Sequence, residues 1–203
     1  MTENRVIYQR GLPEQFKSSA IKLYDQAFGA KISVAVRADE KRLFLLNSCF
    51  MPEYGIFAIY DKKLVGIAGY HTPTGSLTGG ITYGDLISQL GFIMGNWAAL
   101  IFNLYERKPR AGELVMDGIV VHSDFRGKGI GSRLLEEIGK YAKENQFNRI
   151  RLDVIDINPK AKKLYERKGF KAVKSEQFPY LRWLLRFSGS TRMELSTKGN
   201  HYP

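Results

Sequence analysis

Apolar residues along the chain change their spacing often enough to lay out a succession of elements. Residues 5 to 10 form a short stretch suited to a first strand. Phe16, Ala20, Ile21, Leu23, Tyr24 and Ala27 then recur at helical spacing, which predicts a helix from Pro13 to Phe28 that Gly29 ends. A second helix is expected over Asp39 to Cys49. Gly55 to Tyr60 and Leu64 to Tyr70 flank Asp61-Lys62-Lys63 and read as a hairpin. Thr72 to Gly84 is rich in Gly, Thr and Ser and reads as a loop.

Leu86 to Tyr105 carries no charge. Leu86, Leu90, Ile93, Trp97, Leu100, Ile101 and Leu104 step by four and three, a stripe along one helical face. Gln89, Asn96 and Asn103 lie off it. This predicts one helix, or two broken at Gly91 or Gly95, packed over a cleft. A dimer contact or a membrane-surface attachment is the other use of such a face. The length would suffice to cross a bilayer. However, its amides and serine are costly in lipid, and a crossing would split one sheet between two sides, so no span is expected.

A denser pattern follows. Leu114 to Val121 is an apolar strand, and Ile130, Leu134, Leu135, Ile138 and Tyr141 form the apolar face of a helix. Between them lies Arg126-Gly127-Lys128-Gly129-Ile130-Gly131. Strand, glycine turn and helix can hold phosphate, because glycines let backbone approach an anion and the first helical amides have no internal partners. The turn has neither the Gly-Lys-Ser/Thr ending of triphosphate loops nor the spacing of the dinucleotide fingerprint. Asn148 to Val154 alternates like a strand. Asn158 and Pro159 suit a helix start, and Gly169 suits its end. Phe178 to Phe187 suggests a short helix, Thr191 to Ser196 a closing strand, and Lys198 to Pro203 a frayed tail.

Arg126-x-x-Gly129-x-Gly131 and the segment Asn158, Ala161, Leu164, Tyr165, Glu166, Gly169, Phe170 resemble two motifs of the GNAT superfamily of acetyl-coenzyme-A-dependent N-acetyltransferases. The resemblance covers roughly residues 112 to 175. It implies an α/β fold of α+β type: a twisted mixed sheet flanked by helices, in a single domain over 1–203, here with a loop and helical insert at about 72–110. It also implies acetyl transfer from acetyl-coenzyme A (acetyl-CoA) to a primary amine of a small molecule or protein; the alternative is a non-catalytic module that keeps the cofactor fold and uses its basic surface or apolar insert for a partner. The cofactor would lie between the strand ending at Val121 and the strand around Leu152. Its pantetheine arm would pair with the backbone of Ile119, Val120 and Val121, and its pyrophosphate would rest on Arg126, Gly127, Lys128, Gly129, Ile130, Gly131 and Ser132. Asn158 would bond the arm or cap its helix. Tyr165 would be the general acid, or a core aromatic.

For the general base, Asp117 is the first candidate, since a regular strand would place it on the same face as Ile119. Glu113 is the second, and a structural hydrogen bond or a basic neighbour is the alternative role for Asp117. Gly118 would allow a bulge. The acceptor pocket would be built from the early helices, the insert and the region from Phe178 to Arg192.

Composition adjusts this picture in a few places. The length of 203 residues and 44% hydrophobic content allow a proper core. The net charge of +11 suits a phosphate-bearing cofactor, but exceeds what one cofactor needs. No specific nucleic acid is expected, for lack of a recognised motif. A single cysteine, Cys49, in an apolar run reads as core and fits a reducing cytoplasm. The start of the chain lacks an apolar leader, so a cytoplasmic location is expected. His71, His122 and His201 have no metal-ligand spacing, so no metal is expected.

Overall fold

The fold was obtained as a computed structural model that describes residues 5–198 apart from Arg186. In chain order it contains β1 (Ile7–Arg10), α1 (Lys17–Ile32), α2 (Asp39–Cys49), β2 (Gly55–Tyr60), β3 (Lys63–Thr72), β4 (Gly75–Ser76), α3 (Tyr83–Leu90) and α4 (Phe92–Tyr105). There follow β5 (Glu113–Val121), α5 (Ile130–Glu144), β6 (Arg149–Ile155), α6 (Pro159–Arg167), β7 (Lys171–Gln177), α7 (Arg182–Leu185) and β8 (Gly189–Ser196). The strands form a sheet in the order β1-β2-β3-β5-β6-β8-β7, and β4 pairs with β3. All pairs are antiparallel except β5 with β6.

The sheet has a core on each face. On one face Leu114, Met116, Ile150, Leu152 and Val154 pack beneath Leu134 and Ile138 of α5 and Tyr165 of α6. On the other, Phe57, Ile67 and Val120 meet Ile21 and Tyr24 of α1 and Leu46 of α2. Arg42 binds α2 to α1: its Nε and Nη2 donate to the two carboxylate oxygens of Asp25 at 2.6 and 2.9 Å.

The parallel pair is short. β5 and β6 are in register only from Glu113 to Val115 against Arg149 to Arg151, and beyond that they diverge. A buried ion pair, Arg151 Nη1 to Glu113 Oε2 at 2.9 Å, lies at this paired end.

The uncharged stretch becomes two helices, broken at Gly91, where φ is +80°. Thr82 caps α3 through a capping box with Asp85. The two helices cross at Gly95, where a Cβ would sit 2.9 Å from the Cα of Ile87 and from the carbonyl oxygen of Leu86. The stripe divides in a way the spacing did not foretell. Leu86, Leu90, Ala98 and Ile101 pack against Val36 and Leu45, while Ile93, Leu100 and Leu104 point outward and the partly exposed Trp97 donates its indole N–H to the Val34 carbonyl at 2.9 Å.

One other expectation needs correction, one strand escaped the pattern, and one segment is not described. The segment from Thr72 to Gly84 is not all loop, since it holds β4 and the start of α3. β7 was not foreseen, because every residue of this strand is exposed and it pairs only with β8, so no apolar face marks it. The tail beyond Lys198 and His201 lie outside the described residues.

Candidate active site

The turn from β5 into α5 is built on left-handed glycines. Gly127 and Gly129 have φ of +77° and +79°, and nothing lies within 4 Å of where a Cβ would be on either. Gly129 is the N-cap of α5, no side chain caps the helix, and its first turn holds no acidic residue. The first amides of a 15-residue helix therefore open onto free space at its positive end. Arg126 and Lys128 are exposed beside them. The Nε of Arg126 donates to the Val121 carbonyl at 3.1 Å, and Lys128 Nζ lies 4.8 Å from the centre of the Phe125 ring.

Gly131 marks a convergence. A Cβ there would meet Val121 Cγ2 at 3.7 Å and Leu164 Cδ2 at 3.9 Å. The end of β5, the start of α5 and the middle of α6 thus meet at one point, where β5 and β6 have already parted. The direction of the free backbone groups follows from one bond: the His122 N–H donates to Val65 of β3 at 2.9 Å. Peptide groups alternate along a strand, so Val120 also faces β3, while Ile119 and Val121 face the gap.

Asp117 and Gly118 form a bulge. Gly69 pairs with Gly118 and the next residue, Tyr70, pairs with Met116, so Asp117 is the extra residue. Gly118 has φ of +154°, and a Cβ on it would strike the Phe28 ring at 2.6 Å. The bulge corrects the expectation that Asp117 and Ile119 share a face. Met116 and Ile119 pack toward the α5 core, whereas Val115 and Asp117 line a cleft on the opposite face.

That cleft has a volume of about 640 Å³. Tyr24, Phe28 and Lys31 of α1, Leu86 of α3 and Phe102 of α4 wall it, and Phe187 lies at one end. These walls come from the early helices, the insert and the Phe178–Arg192 region. Polar groups on its floor are His71, Asp117 and Asp153. Asp117 is exposed to the cleft, with the protein of the walls surrounding it. Burial pushes its pKa up to about 6, against the pull of Lys31 and a hydrogen bond from the Leu77 amide. Lys31 is pushed down by burial and by Arg107, with Asp117 and Asp153 opposing. Burial likewise lowers His71.

Glu113, the second candidate base, is 1% exposed and bound to Arg151 and the Arg110 amide, which removes it from the cleft. Asn158 caps α6, accepting from the Ala161 amide at 3.2 Å. It is exposed at the helix start, while Tyr165, two turns further on, is buried. Tyr165 is 8% exposed and packs on Phe170 with ring centres 5.8 Å apart. Its hydroxyl has no hydrogen-bond partner among the described residues, and burial pushes its pKa up to about 12. Tyr165 lies on the α5 side of the sheet and Asp117 on the cleft side, with the gap between β5 and β6 separating them. The sequence pattern missed Lys31, His71, Arg107 and Asp153, which come from segments far apart in the chain. Among the described residues no group of His, Cys, Asp or Glu could hold a metal ion.

A family model described as the acetyltransferase (GNAT) family matches residues 21–170. Among curated proteins, the Xenopus tropicalis protein named probable N-acetyltransferase camello is 36% identical over 69 residues, covering 34% of this chain and 32% of that protein. The Bos taurus thialysine N-epsilon-acetyltransferase is 29% identical over 85 residues, covering 42% and 48% respectively. The matches thus span a third to a half of each relative's length. Among solved structures, a GCN5-related N-acetyltransferase from Kribbella flavida superposes with a TM-score of 0.61 at 15% identity, covering 94% of this chain and 97% of that one. A Salmonella typhimurium protein described as an acetyltransferase, solved with its cofactor acetyl-CoA, superposes at 0.60 with 14% identity and 98% of each chain covered. At such identities these two structures speak to the fold alone.

Proposed function

Since the chain belongs to the acetyltransferase (GNAT) family, we propose that it moves an acetyl group from acetyl-CoA to a primary amine by direct attack in a ternary complex. The observation that carries this reading is the gap between β5 and β6, which opens between the glycine turn on one side and the cleft on the other. The residues present fit the cofactor. Open space at Gly127 and Gly129, bare helix amides and two exposed cations suit a pyrophosphate. The gap-facing backbone of Ile119 and Val121 suits an added extended arm, in the manner of an extra strand.

Acetyl-CoA supplies an activated thioester carbonyl. The acceptor enters from the cleft as an ammonium, whose pKa of about 10.4 bars attack until a proton is lost. Asp117 takes that proton, directly or through a cleft water. An amide near Ile119 donates to the carbonyl oxygen as charge builds there. Tyr165, from the opposite face, gives its phenolic proton to the departing sulfur. Asn158 holds the start of α6 in place, and a reducing, cytoplasmic setting fits the single buried cysteine Cys49.

Gly129→Val tests the loop. A β-branched residue is strained at φ +79°, and its side chain would stand in the free space the anion requires. Calorimetry with coenzyme A should show affinity lowered tenfold or more while the melting curve stays cooperative. Wild-type protein that binds neither coenzyme A nor acetyl-CoA would refute the function.

The outward face of α4 supports a second role for the insert. Phe92, Ile93, Trp97 and Leu100 are 37% to 81% exposed. Arg107 and Lys108 follow directly, sharing a hollow with Leu104 and Tyr180. Apolar surface rimmed by cations suits an anionic membrane surface. Among the described residues no helix is long and apolar enough to cross a membrane. Vesicles containing phosphatidylserine should sediment the protein at low salt, and Trp97→Glu with Leu100→Glu should release it. Dimerisation in light scattering without sedimentation would instead assign this face to a second copy.

A further inference from the structure

Past Arg107 and Phe187 the cleft runs into a second hollow of about 460 Å³. Both lie on one face of the sheet, because Arg151 and Asp153 alternate with the core residues Ile150, Leu152 and Val154 along β6. Arg107, Arg110, Arg151 and Arg192 converge there, beside the rings of Phe178 and Tyr180.

Two carboxylates, Glu106 and Glu176, line the hollow as well, against these four arginines and Lys108, and they pair with Lys108 at 3.7 Å and Lys174 at 2.6 Å respectively. Arg107 and Arg192 share Asp153, at 3.1 and 3.2 Å. Arg110 forms no ion pair with any described residue, although its amide donates to Glu113. Arg151 carries the strongest signal. Its side chain is 5% exposed, Nη1 donates to Glu113 at 2.9 Å and Nη2 to the Lys108 carbonyl at 3.2 Å. Its Nε–H is buried with no acceptor. Native structures seldom leave such a donor unpaired, and a bound water or a ligand atom is what completes it. A guanidinium fork matches the planar oxygens of a carboxylate or phosphate, and the neighbouring rings offer apolar contact.

We propose that this hollow receives an anionic group of the acceptor, so that the substrate is an amine joined through an apolar portion to a carboxylate or phosphate. The amine would reach Asp117 while the anion sits among the arginines. This rests on the acetyl-transfer reading and adds its selectivity: an amine without the anion leaves Arg110 without an ion pair and the buried Nε–H of Arg151 without an acceptor, and is disfavoured for that reason.

The test uses the full chain, acetyl-CoA and release of free thiol. Acceptors are ω-aminocarboxylates of increasing length, each beside its own amide, with an aminoalkyl phosphate as a separate arm. One length of acid should exceed its amide in kcat/KM by tenfold or more. The phosphate arm tells which anion is preferred. Hexanoate, which has no amine, should compete with the acceptor but not with acetyl-CoA. Arg110→Gln, at an exposed guanidinium without an ion pair, should collapse the advantage of acid over amide. Equal turnover of acid and amide at every length, with no gain for the phosphate, overturns the proposal, as does an unchanged preference in Arg110→Gln. If acetyl-CoA binds but no amine reacts, calorimetry with hexanoate decides: binding that Arg110→Gln abolishes supports the site, and no binding overturns it. Hexanoate binding without coenzyme A binding would leave the anion site standing and remove the acetyl-transfer reading.

Discussion

Replacing Tyr165 with phenylalanine is expected to lower kcat tenfold or more while leaving the affinity for acetyl-CoA within twofold. General acids contribute roughly 10² to 10⁴ in rate, and that is the role proposed for this hydroxyl. The ring is buried against Phe170 and remains so in the variant. The hydroxyl bonds to no described residue, so its removal costs the fold little. A phenol with its pKa at about 12 is fully protonated at any working pH, which is the form a donor needs. A free thiol titrates near 8.5, so a departing thiolate can leave unprotonated at high pH. The defect in Tyr165→Phe should therefore shrink above about pH 9. Unchanged turnover, with calorimetry showing normal binding, would return Tyr165 to a packing role.

Asp117→Asn should be the other large loss, about 10² in kcat/KM. It should also abolish the acid limb of the pH profile. A base works when deprotonated, so wild-type kcat/KM should rise with pH through about 6 and level off above it. Lys31, His71, Asp153, Glu106 and Arg107 face the same cleft and shape that profile. Stability should move the opposite way. The folded-state pKa of Asp117 lies above its ordinary 3.8, so the stabilising effect of its proton is complete below that value and lost as pH rises through about 6. Asp117→Asn never bears the buried charge. It should melt above the wild type at pH 7 and alongside it at pH 4. A variant that melts lower at pH 7, with its acid limb intact, would leave Asp117 a purely structural residue held by Lys31 and the Leu77 amide.

Much of the frame could be read in advance, because glycine turns and amphipathic helices announce themselves locally. The Arg126–Gly131 turn, the α5 stripe and the cap at Asn158 each depend on residues a few positions apart. Other features depend on partners that spacing cannot reveal. Gly118 suggested a bulge, but only its pairing with Gly69 showed that Asp117 and Ile119 turn to opposite faces. Glu113 stood in phase with Asp117, yet it was lost to Arg151, which lies 38 residues away. β7 had no apolar side to betray it, because it lies at the edge of the sheet and every residue of it is exposed. The elements that wall the cleft could be named by region, though its charged floor could not, since Lys31, His71, Arg107 and Asp153 come from four separate elements or loops.

The brief parallel register of β5 and β6 has a mechanical meaning. Among the described residues, the strand pairing that joins the half containing β1, β2 and β3 to the half containing β7 and β8 is three pairs of facing residues long. The Glu113–Arg151 bond lies at this stitched end like the rivet of a pair of tongs. Beyond it the two jaws share no rungs, and an extended guest gripped there would supply the missing ones. The amides of Ile119 and Val121 should accordingly exchange their hydrogens freely in the empty protein and slowly once the jaws are filled.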